Sequence, residues 1–204
     1  GTARRLFAAF AGLIVIYGLA SSVALLGLAE IHDGLHQTRA RAEGMRVALE
    51  LASAVRDQYA HQAHTIIIGD ASHLSFYGEA RETVARLTRA LRQAAERPEE
   101  RSLVDAIDQE SQRLDRIFRE SIVPAVLRGD RARVQEEHGR AQLVVTRIQD
   151  LTQALVERFE ASIRAVRRDL EEVERRTRRS QVALLVAAPL VALAVSVLIG
   201  RSIA

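Results

Sequence analysis

Two uncharged apolar stretches, residues 6–29 and 180–200, bracket a polar, helix-patterned region in this chain. Each is long enough to cross a bilayer as a helix, because ~20 apolar residues rising ~1.5 Å apiece span a hydrocarbon core of ~30 Å. The expected class is a membrane protein with a sizeable domain on one side. That layout suits carrying a signal across a membrane better than it suits soluble catalysis.

Charge sharpens the picture. The 29 basic residues are all Arg, and the 26 acidic residues all lie within residues 30–180, as do all the Arg except Arg4, Arg5 and Arg201. The middle region is therefore neutral, and a neutral domain without a basic face gives no footing for nucleic-acid binding. With no Cys in the chain, disulfides, thiolate nucleophiles, Cys-ligated zinc and c-type haem are excluded.

The first apolar stretch has 24 uncharged residues and runs into Glu30-Ile31-His32 without a loop signal, so it reads as an uncleaved anchor rather than a signal peptide. Arg4, Arg5 and Arg201 place both outer ends in the cytoplasm by the positive-inside rule, whereas Arg175, Arg176, Arg178 and Arg179 on the inner flank of the second span argue the other way. Long domains translocate largely regardless of charge, so residues 30–180 are expected outside the cytoplasm. The organisation expected is thus a membrane helix over 6–29, an extracytoplasmic domain over 30–180, a second membrane helix over 181–200 and a cytoplasmic linker beginning at 201–204.

No segment of the middle region shows period-two alternation, and its breaks are Gly69-Asp70, Glu96-Arg97-Pro98 and Gly129-Asp130. They predict helices over 30–68, 72–95, 99–127 and 131–179. Short connections make neighbours antiparallel, so the fold expected is all-α, an up-down-up-down four-helix bundle continuous with two transmembrane helices.

In the fourth helix, Val134, His138, Ala141, Val145, Ile148, Thr152, Leu155 and Phe159 alternate steps of four and three, a heptad seam. An extra step of four from Phe159 to Ile163 is a stutter, after which Val166, Leu170, Val173 and Thr177 continue the series. The second helix offers Tyr77, Ala80, Val84, Leu87, Leu91 and Ala94, and the first Ile31, Leu35, Thr38, Ala42, Met45, Leu49 and Ala52. The outer helices are longer than the middle pair. Near the bilayer only the first and fourth remain, and Leu170 and Val173 there would stay exposed unless a second copy packed alongside, which predicts a parallel homodimer.

Gln62-Ala63-His64-Thr65-Ile66-Ile67-Ile68-Gly69-Asp70, followed by Leu74, Phe76-Tyr77 and Ala80, resembles the first helical hairpin of CHASE-type bacterial sensor domains. Ile122-Val123-Pro124-Ala125-Val126-Leu127-Arg128-Gly129-Asp130 resembles the turn before the last helix of such bundles, a feature shared with chemoreceptor domains, and Gly200-Arg201-Ser202-Ile203-Ala204 is similar to the entry of a HAMP linker. Where that family commonly carries Gln-Arg-Gly, this chain has Gln62-Ala63-His64. Gly-Asp also has a purely local reading, as a left-handed helix terminator followed by an N-cap.

The resemblance implies a sensor input module in a bacterial cell membrane. Its parent would be a sensor histidine kinase, or else a chemoreceptor or nucleotide cyclase, with a cytoplasmic output domain in the same chain. A membrane-anchored structural bundle is the other class. Phe159, Ile163 and Pro189 are the candidate signal-transmission residues, because a stutter and a membrane-helix proline are places where two packings lie close in energy.

His61, His64, His73 and His138 gather toward the membrane-distal end and are the candidate ligand-binding residues, together with Arg56, which follows Ala52 on the first helix's seam. A seam shifted to Val55 and Tyr59 would leave Arg56 outside. His61 and His64 at i, i+3 share a face, as metal-binding pairs must. Without positioned partners, however, such histidines read first as surface or packing residues, so neither metal nor cofactor is assigned. His32 and His36 lie beside the membrane. Glu136-Glu137 and Glu171-Glu172 are adjacent carboxylates read as solvated surface, Ser111 and Ser121 lack a convergent base, and no catalytic set emerges.

Overall fold

The computed structural model describes residues 2–201, apart from the side chains at 2–6, 8, 9, 195 and 198–200. Residues 202–204, which hold most of the expected linker entry, lie outside the described residues, as do the side chains of Arg4 and Arg5. Every described element is helical: α1 (Thr2–Ile68), α2 (Leu74–Ala94), α3 (Pro98–Arg116), a π-helical segment (Ile117–Ile122), α4 (Val123–Arg128) and α5 (Arg131–Gly200). The backbone stays right-handed helical through both junctions of the π segment, so α3, the π segment and α4 form one third helix.

Turn chemistry explains the three breaks. Gly69 and Gly129 adopt φ of +80° and +72°, a left-handed conformation that glycine reaches without a Cβ penalty. After α4, the Gly129 N–H donates to the Val126 carbonyl and the Asp130 N–H to the Ala125 carbonyl, the paired bonds of a Schellman stop. Asp130 Oδ1 then accepts the Arg133 N–H at 3.1 Å and starts α5. Asp70 Oδ1 likewise accepts the Ser72 N–H at 2.8 Å and its hydroxyl at 2.5 Å, and these bonds hold the Asp70 carboxyl below the usual carboxylate range. Gly129-Asp130 thus acts as a local stop-and-start signal, whereas Gly69-Asp70 stops α1 and shapes the turn, and α2 begins after His73, which makes no side-chain cap bond. Between α2 and α3, Pro98 occupies the first helical turn, where its missing N–H costs nothing, and Glu100 Oε2 accepts the Glu96 and Arg97 N–H groups at 3.0 and 3.2 Å.

The π segment has a specific cause. Pro124 lacks an N–H, and its ring would crowd the carbonyl four residues earlier in an ideal α-helix. Just upstream, the Val123 N–H reaches back to the Phe118 carbonyl, a wide i→i+5 turn that makes room for the ring. Pro124 is thus accommodated by a widened turn in the third helix.

The chain divides into two compact units, 1–38 with 164–204 and 39–163. The division falls at the end of the Phe159–Ile163 stutter. Unit 39–163 holds the main core, built from Ala48, Leu51 and Val55 of α1, Val84, Leu87 and Leu91 of α2, Val104, Ile107 and Leu114 of α3, Phe118 and Ile122 of the π segment, and Ala141, Ile148, Leu155 and Phe159 of α5. Each fully buried Leu, Ile or Phe in it contributes about 1.5–3 kcal/mol. The α5 seam from Ala141 to Phe159 is buried as its spacing requires, while Val134 and His138 at its start are half-buried.

The α1 seam is one residue earlier than the apolar pattern predicts. Arg41, Gly44, Ala48, Leu51, Val55, Gln58, Gln62 and Thr65 are the buried row, at steps of three and four, whereas Leu35 and Leu49 are exposed. Polar partners and close approach explain the shift. Arg41 is met by Glu100, Gln58 Nε2 donates to the Tyr77 hydroxyl at 2.8 Å, and a Cβ on Gly44 would lie 3.0 Å from Phe159 Cζ. A second correction concerns Glu137, which is buried and accepts from Arg133 and Arg140 at 2.6 and 3.1 Å rather than sitting solvated beside Glu136.

In unit 1–38 with 164–204, α1 and α5 segments pack through glycines. A Cβ on Gly27 would approach Thr177 Oγ1 to 2.6 Å, and one on Gly34 would approach Leu170 Cδ2 to 2.6 Å. Leu170 and Val173 are half-buried within the chain itself. Among the described residues α1, over Phe10–Ile68, is the one helix long and apolar enough to cross a membrane, and only 6% of its most apolar window is buried. Residues 180–200 are helical too, with Val182, Leu185, Leu190 and Leu193 exposed.

Candidate functional site

α1 ends in Thr65-Ile66-Ile67-Ile68, and the tight turn at Gly69 and Asp70 sends the chain back so that His73, the residue preceding α2, returns beside the last turns of α1. His61 and His64 occupy adjacent positions on one face of α1. One ring nitrogen from each of His61, His64 and His73 lies within 4.8 Å of the other two. Ring centroids are 6.2 Å apart for His61 and His64, 6.0 Å for His61 and His73, and 5.0 Å for His64 and His73.

The cluster is apolar on one flank and open on another. Phe76, in the first turn of α2, stacks on His61 with centroids 5.7 Å apart and lies 5.5 Å from His73. His61 and His73 are half-buried, and His64 is exposed. The Nδ1 atoms of His61 and His73 are buried without a hydrogen-bond partner among the described residues. Buried polar atoms are rarely left so, and each such orphan asks for a ligand or water.

His138 belongs elsewhere. Its Nε2 is 3.2 Å from the Tyr59 hydroxyl, with the two rings stacked at 5.4 Å, and it lines a separate pocket of about 660 Å³ with Gly69, Val126, Gly129 and Val134. Burial pushes the Tyr59 phenol above its ordinary range. Four expected ligand residues thus resolve into a trio and a separate Tyr–His pair.

Arg56 is exposed, because Val55 and the half-buried Tyr59 take the inward positions. Of the transmission candidates, Phe159 is fully buried against Gly44 with the Arg41 guanidinium 5.9 Å from its ring, Ile163 is half-buried, and Pro189 is exposed in a helix that runs through it. His32 and His36 lie with their Nε2 atoms 3.0 Å apart on the exposed surface of α1.

Sequence reasoning missed two groups. Gln62 is fully buried with both amide atoms unpartnered, next to the trio, and Arg41 is buried and binds both Glu96 and Glu100. Both sit on the heptad that Gly34, Ala48 and Val55 mark, but polar residues give no signal to a search for apolar periodicity. Comparison with protein-family models, with curated proteins and with solved structures finds no match.

Proposed function

We propose that this chain is the input module of a bacterial membrane receptor, with residues 39–163 an antiparallel four-helix bundle outside the cytoplasm and residues 181–200 a second membrane span. The single observation that carries the reading is α1. One helix, Thr2–Ile68, bears an apolar window that the chain leaves exposed and, further on, the buried row from Arg41 to Thr65. A stiff helix with one end suited to lipid and the other built into a core is a transmitter of piston or rotational motion.

The glycine contacts support the same reading. Gly27 and Gly34 let α1 and α5 approach closely at Thr177 and Leu170, so a displacement of one helix bears directly on the other. We further read the parent as a sensor histidine kinase working as a homodimer, with a HAMP linker beginning at residues 201–204, and chemoreceptor or structural bundles as the competing classes.

An insertion scan tests this. Residues 1–204 are joined to the HAMP and kinase portion of a well-behaved receptor, and one to four alanines are inserted after Arg179. Kinase output should rise and fall with a helical period of ~3.6 residues. Output indifferent to the insertions removes the receptor reading and leaves a structural bundle.

A further inference from the structure

We infer that His61, His64 and His73 form a binding site for a late divalent transition metal ion such as Zn²⁺, Ni²⁺ or Cu²⁺. The inference stands on these side chains alone and holds whether or not the chain is a receptor. Three imidazoles converge, two from the end of α1 and one from the turn before α2, and none of the three ligands is a carboxylate. An all-nitrogen set suits borderline metals and is a poor match for Mg²⁺ or Ca²⁺, which require oxygen ligands.

The spacing fits. A tetrahedral ion with metal–nitrogen bonds of ~2.1 Å holds its ligand nitrogens ~3.4 Å apart. The three nitrogens lie within 4.8 Å of one another, so closure needs side-chain adjustments on the order of 1 Å, the scale of a small χ rotation. His64 is exposed and free to make it. The turn at Gly69 and Asp70 fixes where His73 stands, and Phe76 backs two of the rings. The orphaned Nδ1 atoms of His61 and His73 supply a second, independent sign that the described contacts leave ring nitrogens unsatisfied here.

Three protein ligands leave a coordination position for water or a small exchangeable ligand. Closed four-ligand sites are structural, whereas a site with an open position binds and releases. His138 is not among the converging ligands, and its Nε2 faces the Tyr59 hydroxyl instead.

The test uses the full, untagged chain in detergent micelles, titrated with Zn²⁺ and with Cu²⁺ against a competing chelator. One ion should bind per chain, and the Cu²⁺ complex should show nitrogen superhyperfine structure by electron paramagnetic resonance. His64→Ala should weaken binding at least about 100-fold, since even the loss of a ligand's outer partner costs 10–100-fold. Its helix content should not change, because His64 is exposed. His61→Ala and His73→Ala should behave alike, while His138→Ala and the double variant His32→Ala/His36→Ala should bind within about twofold of the parent chain, the spread that single energetic estimates carry. No binding by the parent chain, binding unaffected by His64→Ala in a folded protein, or binding lost with His32 and His36 overturns the site.

Discussion

Arg41 of α1 donates from Nη1 to Glu100 Oε2 at 2.9 Å, and both side chains are almost wholly buried. The same guanidinium reaches Glu96 at 2.6 Å, while Glu100 accepts the two N–H groups that open α3. One cation on α1 therefore fixes the turn between α2 and α3. Arg41→Ala should destabilise the protein by about 3–5 kcal/mol, the cost of leaving a buried carboxylate uncompensated. Arg41→Lys should rescue little, because a single ammonium does not span two carboxylates as a guanidinium does. Chemical denaturation of the full chain followed by circular dichroism measures both, and a loss under 1 kcal/mol for Arg41→Ala would show the pair to be dispensable.

Glycine substitutions should split by sign. At Gly34 and Gly44 an added methyl meets Leu170 at 2.6 Å and Phe159 at 3.0 Å, so Gly34→Ala and Gly44→Ala should cost about 1–3 kcal/mol through overpacking. At Gly78 and Gly139 nothing lies within 4 Å, and the same change should stabilise by about 0.5–1 kcal/mol through helix propensity. Melting temperatures of the four variants decide it. Stabilisation by Gly34→Ala or Gly44→Ala would mean that α1 and α5 do not pack as closely as described.

Alkaline pH should expose Tyr77. Desolvation, with Asp115 adding to it, raises this phenol well above its ordinary value of 10.0. The folded state thus favours the neutral phenol, so its contribution to stability is complete below pH ~10 and is lost as pH rises beyond that point toward the folded value. Stability should fall with pH above ~10 more steeply in the parent chain than in Tyr77→Phe. Spectrophotometric titration should show a tyrosine that ionises only as the helices melt. Full ionisation of all three tyrosines in the folded protein would contradict its burial.

Topology is testable at the turn that carries the histidines. Ala95, between α2 and α3, is buried and unsuited to labelling, but Ser72 is exposed. In intact cells Ser72→Cys should react with a membrane-impermeant thiol reagent. Reaction only after lysis would put the bundle in the cytoplasm and end the extracytoplasmic reading.

Much of this fold is legible in the sequence because its stops are chemical. Gly69, Gly129 and Pro98 end or begin helices wherever they occur, and the α5 seam from Ala141 to Phe159 is apolar enough to be read by spacing alone. The α1 seam is not legible, because five of its eight inward positions are Arg41, Gly44, Gln58, Gln62 and Thr65, which an apolar period does not register, and the first three meet partners far along the chain. The histidine trio is legible only in part. His61 and His64 announce a shared face by spacing, but whether His73 or His138 joins them is set by the Gly69 turn and the pull of Tyr59.

The wide turn before Pro124 has a consequence for chain length. A π segment is one residue more than an α-helix needs for the same advance, so the residues after Ile122 are rotated by roughly 100° relative to an unbroken helix from Pro98. The extra residue and the proline compensate each other. A related chain lacking both would keep Phe118 and Ala125 on the inward side with one residue fewer, and a gap aligned to this turn would mark a conserved packing, not a lost one.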